Sequence, residues 1–93
     1  ARRRGESANQ LSANRLYPNP TNDVAVLEFW SENVGDVQLK IAGIQGIQSE
    51  RQVSAMKGLN TVAISLKNFP AGVYWVSLQN DQTIETLRLV KLD

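Results

Sequence analysis

The groups able to move protons or hold metals are few in this chain: nine carboxylates, no histidine and no cysteine. Histidine is the commonest general base and transition-metal ligand, so its absence argues against ordinary hydrolases and zinc enzymes. Without cysteine, disulfides, thiolate metal sites and sulfur nucleophiles are excluded together. Paired carboxylates remain as an acid–base option. Glu28, Glu50 and Glu85, however, fall at the solvent-facing positions of strand-like runs, and Asp36 and Asp81 fall in turns, with no motif grouping them. A turn aspartate ordinarily bonds its own backbone, and no Asp-x-Asp-x-Asp spacing marks a calcium loop. Gly43-Ile44-Gln45-Gly46 lacks the spacing of a phosphate-binding loop, and no helical pattern follows it. Trp30 and Trp75 are the remaining chemical handles. Trp75 alternates with Tyr74 and Val76, which puts it on an outer face, where an indole stacks on a sugar or covers an edge or partner domain. The residues therefore indicate binding or anchoring: no enzyme, no cofactor and no metal is expected.

Charge supports this. Arg2, Arg3, Arg4 and Arg15 face only Glu6 in the first fifteen residues, whereas residues 16–93 hold six Lys/Arg against eight Asp/Glu, scattered along the chain. A nucleic-acid surface needs clustered cations, so none is expected. No apolar run reaches the roughly 20 residues of a membrane span, and no signal-peptide pattern is present. Residues 1–15, with Leu11 the single sizeable apolar residue, read as a flexible linker. The chain opens on Ala1, which reads as a piece of something longer.

From Tyr17 onward, short apolar runs alternate with Gly, Asn, Asp and Pro, the texture of an all-β domain. In Val24–Trp30 the pattern turns Ala25, Leu27 and Phe29 inward. Val37, Leu39 and Ile41 alternate with Gln38 and Lys40, the period of a half-buried strand. Residues 47–53 read as a polar edge strand. Thr61–Leu66 directs Val62, Ile64 and Leu66 to one face, and Val73–Leu78 directs Tyr74, Val76 and Leu78 to one face. Asn80-Asp81 suits a tight hairpin because both residues tolerate positive φ, and a last strand runs nearly to Asp93. About seven strands with turns at short intervals predict an immunoglobulin-like antiparallel β-sandwich, with a small barrel as the alternative. Tyr74 at the start of a strand after a Pro/Gly corner fits either a tyrosine corner or a plain core residue.

One segment is unusual. In Leu16–Asp23, "LYPNPTND", Pro18 and Pro20 each fix φ and remove a donor, and each drives the residue before it out of the helical region. Such a segment reduces the conformations open to a junction, with Tyr17 packing as an anchor at the end of the sandwich.

"LYPNPTND", "GIQGIQ", "GLNTVAISLKNFPAGVYWVSL" and the lysine-bearing last strand together resemble the C-terminal sorting domain of type IX secretion cargo in Bacteroidetes, over Arg15–Asp93. The family's first motif is matched by Tyr17-Pro18-Asn19-Pro20 and its corner by Phe69-Pro70-Ala71-Gly72-Val73-Tyr74. Gly46 keeps the glycine of the middle motif, while Gly43 and Ile47 stand where an aspartate and an arginine are usual. Arg88 and Lys91 are what remains of a more basic tail. The resemblance implies a linker at 1–15 and a sorting domain at 16–93, read by an outer-membrane translocon and directing a passenger from the periplasm to the cell surface. It also implies, in most members, a sortase-like peptidase that cleaves upstream. The lost Asp and Arg keep open a retained docking module of the secretion or attachment machinery. Edge strands, at residues 47–53 and at the C terminus, are expected to offer backbone for a partner strand or for a homodimer.

Overall fold

The computed structural model describes residues 10–93. Seven strands follow one another: β1 Leu11–Tyr17, β2 Val24–Ser31, β3 Gly35–Gly43, β4 Gly46–Ala55, β5 Gly58–Ser65, β6 Gly72–Gln79 and β7 Ile84–Lys91. They form two antiparallel sheets, ordered β1-β2-β5 and β4-β3-β6-β7. The fold is thus the expected immunoglobulin-like β-sandwich rather than a single closed barrel.

The alternation that predicts the strands also fills the space between the sheets. Ala25, Leu27 and Phe29 of β2 are fully buried, and Val37, Leu39 and Ile41 of β3 meet Tyr74, Val76 and Leu78 of β6 in the same core. Ile64 and Leu66 close it from the β5 side, and Leu89 from β7. Each large apolar side chain removed from water contributes about 1.5–3 kcal/mol.

Two expectations need correction. Residues 11–15 are not linker: they are the body of β1, and Leu11 is 1% exposed. Leu11 pairs with Ser31 and Ala13 with Phe29, but a bulge between Ala13 and Arg15 shifts the register before Leu16 meets Leu27. Apolar residues at 11, 13 and 16 therefore share an inward face although their spacing breaks the period of two. The earlier part of the expected linker, residues 1–9, lies outside the described residues. The hairpin at Asn80-Asp81 is a four-residue loop, 80–83, and no described non-glycine residue has positive φ. Asn80 shapes it instead, its Oδ1 accepting from the amides of Gln82 at 2.9 Å and Thr83 at 2.8 Å.

The outer faces differ. Trp30, in β2, lies opposite Ser12 and Leu59 on the three-stranded sheet. Trp75, in β6, lies opposite Ala42 and Arg88 on the four-stranded sheet. Both indoles are exposed, but they belong to different sheets and form no joint platform.

Candidate functional site

Register gathers four distant segments at one end of the sandwich. β3 ends at Gly43 and β4 begins at Gly46, across a two-residue turn. Ala42 lies opposite Trp75 near the start of β6, and Gly72 lies opposite Lys91 at the end of β7. The β1–β2 connection reaches the same end, where Thr21 bridges Lys91 in parallel.

That connection is a clamp on the last strand. The Asn19 side chain donates from Nδ2 to the carbonyl of Arg88 at 2.8 Å, and its Oδ1 accepts from the amide of Val90 at 3.1 Å. The carboxamide thereby substitutes for a peptide group on the outer edge of β7. Two residues on, the Thr21 amide donates to the Val90 carbonyl at 2.9 Å, and the Leu92 amide donates to the Thr21 carbonyl at 2.8 Å. Pro18 and Pro20, which have no N–H to offer a ladder, flank the one side chain that does the pairing. Both of their preceding peptide bonds, Tyr17-Pro18 and Asn19-Pro20, are cis. Thr21 is 2% exposed, and its hydroxyl donates to the Val24 carbonyl at 2.6 Å. The expectation of an open C-terminal edge is therefore corrected over residues 88–92, where the backbone groups are already taken. Further up β7, Glu85 Oε1 accepts from the Ala13 amide at 3.2 Å. That amide lies at the bulge of β1.

Tyr17 is not a buried anchor. It is 36% exposed, with the Arg15 guanidinium 4.5 Å above its ring. Arg15 Nε donates to Glu28 Oε1 at 3.0 Å, and this bond, with the carboxylate's charge, raises the guanidinium pKa further above its usual value. The result is a surface row of exposed Tyr17 and Arg15 with half-buried Glu28 beside the clamp.

The corner before β6 is held from both sides. The Tyr74 hydroxyl donates to the Pro70 carbonyl four residues upstream at 2.5 Å, which makes Tyr74 a tyrosine corner as well as a core residue. Its ring lies 5.5 Å from that of Phe69, and Lys91 Nζ donates to the Phe69 carbonyl at 2.6 Å. Gly43 completes the fit: a Cβ there would stand 3.1 Å from Tyr74 Cε1. Gly72 and Gly46 have φ of 152° and 107°, conformations that an L side chain rarely adopts. Between the β3–β4 turn and the corner lies a cleft of about 230 Å³, walled by Gly43, Ile44 and Gln45 on one side and Pro70, Ala71 and Gly72 on the other. Val73, Trp75 and Ile47 stand exposed on the adjoining sheet face, and Arg88 lies across from Trp75.

The motif residues of the resemblance thus fall at this end, whereas Trp30, Asp36 and Asp81 lie elsewhere. Tyr17, Pro18, Asn19 and Pro20 form and flank the clamp, Arg88 and Lys91 belong to the strand it holds, Pro70–Tyr74 build the corner, and Gly46 turns the chain beside it. Phe69 of the corner motif acts through its carbonyl and Gly43 of the middle turn through the space it leaves, whereas Thr21, which acts through its backbone groups, carries no motif role in the sequence. A lone β-branched Thr directly after the second proline is the signal that points to Thr21.

Among the described residues no cluster of three His, Cys, Asp or Glu could hold a metal ion, and no helix is long and apolar enough to cross a membrane. A family model described as the secretion system C-terminal sorting domain matches residues 15–92. No curated protein matches the chain.

Proposed function

This chain belongs to the family of secretion system C-terminal sorting domains, the sorting signal of type IX secretion, and from that premise we propose that the clamped end of the sandwich is the face read by the outer-membrane translocon. The supporting observation is the convergence of the first motif, the corner and the last strand on one surface, tied by Asn19 to Arg88 and Val90 and by Lys91 to Phe69. A signal built this way is a shape rather than a string. The translocon reads it only after folding has brought residues 19 and 90 together. The cleft and the exposed Val73, Trp75 and Ile47 supply apolar surface for the contact, and Arg88 supplies a charge at its rim.

The passenger then travels through the periplasm to the cell surface or beyond, and a sortase-like peptidase cleaves upstream of the domain. Cleavage falls before Gln10, because from Leu11 onward the backbone is paired in β1 and a peptidase needs extended, unpaired chain. Gly43 favours the retained docking module as a second reading. An aspartate side chain at that position would press on the Tyr74 ring, so the middle turn of this chain is shaped for the corner and not for an acidic contact.

A reporter fused ahead of residues 5–93 tests the proposal in a bacterium with the machinery. The reporter is expected at the cell surface, and Asn19→Ala or removal of residues 89–93 is expected to hold it inside. Reporter kept in the periplasm by the intact domain would overturn the reading. Mass spectrometry of the released passenger's C terminus separates cleavage before Gln10 from retention of the domain.

A further inference from the structure

We propose that the outer edge of β4 is a docking site for an extended segment of a partner protein that carries an acidic side chain opposite Arg51. The two edges of the four-stranded sheet are β4 and β7. The β7 edge is occupied by Asn19 and Thr21, whereas β4, at ten residues the longest strand, is hydrogen-bonded to β3 and has no described strand beyond it. A bare edge presents alternate amides and carbonyls to any extended chain, and backbone pairing alone would accept many sequences.

Arg51 restricts the choice. It lies opposite Leu39, which is buried, so its side chain starts on the core side of β4 and reaches across the gap between the sheets. There Nη2 donates to the Ala63 carbonyl of β5 at 2.6 Å. Glu50, by contrast, turns outward to Lys40 at 3.7 Å. Among the described residues no carboxylate is within ion-pairing distance of Arg51, and one neutral carbonyl uses a fraction of the five donors of a guanidinium. A strand added to β4 would cover this group. An apolar residue opposite it leaves a charge covered without a counter-charge, which is costly, whereas a carboxylate accepts its free donors in fork geometry. The same residue thus repels apolar strands and selects acidic ones, a discrimination by exclusion.

A second copy is a poor occupant. Two-fold antiparallel pairing of β4 with itself, in the two registers of longest overlap, sets Arg51 against the partner's Arg51 or Glu50 against the partner's Glu50, and like charges directly opposite destabilise a ladder.

The test titrates the purified 93-residue chain with the blocked heptapeptide Thr-Val-Thr-Glu-Thr-Val-Thr and with its Lys-centred counterpart, following amide resonances. The Glu peptide is expected to bind saturably, shifting amides of β4 and not of β7, at least about tenfold tighter than the Lys peptide. Arg51→Glu should reverse that order, and Arg51→Gln should abolish the difference. Absence of saturable binding, shifts along β7, or equal affinity for the two peptides overturns the proposal. So do β4 shifts that grow with protein concentration alone, which would make a second copy the occupant. Because binding is read in purified protein, a negative result leaves the sorting reading intact, and export by Arg51→Glu can be scored separately.

Discussion

The two flanks of the sandwich are closed in different ways. Along β1 and β7, Ala13 reaches Glu85, and Asn19 and Thr21 pair with Arg88, Val90 and Leu92. Along β4 and β5, a single long side chain, Arg51, spans to Ala63. Backbone and short-amide contacts cost little side-chain entropy to hold in place, whereas a mobile arginine costs up to about 2 kcal/mol of rotamer freedom. The first flank therefore stays shut and keeps the motif end in one shape. The second is exchangeable, as a surface must be if a partner strand is to take the place of an internal contact. The sorting signal and the proposed docking edge divide along this line.

The closed flank carries the largest expected losses of stability. Leu89→Ala empties a fully buried position of β7, between the two residues that Asn19 holds, and should lower unfolding free energy by about 2–5 kcal/mol in urea denaturation. Asn19→Ala leaves the Arg88 carbonyl and the Val90 amide without their partner. The site is exposed and water replaces much of the loss, so about 1–1.5 kcal/mol is expected. Tyr74→Phe removes the bond to Pro70 while keeping the ring, at about 1 kcal/mol, read as a downward shift of midpoint without change in slope. Arg51→Ala on the open flank should cost less than about 0.5 kcal/mol. If Arg51→Ala proved as costly as Asn19→Ala, the two flanks would not differ in the way described.

Much of this architecture is legible in the residues. β3 follows from strict alternation and β2, β5 and β6 from one inward apolar face each, while the spacing of Pro70, Gly72 and Tyr74 admits a tyrosine corner beside a plain core residue, and the bond to the Pro70 carbonyl decides for the corner. What escapes is where local pattern and tertiary contact diverge. β1 reads as linker because its bulge moves the inward positions to 11, 13 and 16, and because within residues 11–15 Ser12, Asn14 and Arg15 stand against only Leu11 and Ala13. Its place is earned from Leu11, buried beneath the β2 end. The last strand reads as a free edge because its cover comes from a side chain 71 positions away, which no local period reports. The same contact explains "YPNP" better than stiffness alone. The prolines mark where the chain leaves the β2 edge, and the asparagine between them does the work of a strand.

The clamp is tested most directly by native-state amide exchange at Val90, whose N–H has the Asn19 side chain as its partner. In the intact chain this amide should exchange at least about a hundredfold more slowly than an unstructured one, and Asn19→Ala should return it to near-free rates while Leu89 in the core stays protected. A Val90 amide that exchanges freely in the intact chain, or one that stays equally slow in Asn19→Ala, would contradict the clamp and the folded motif end that depends on it.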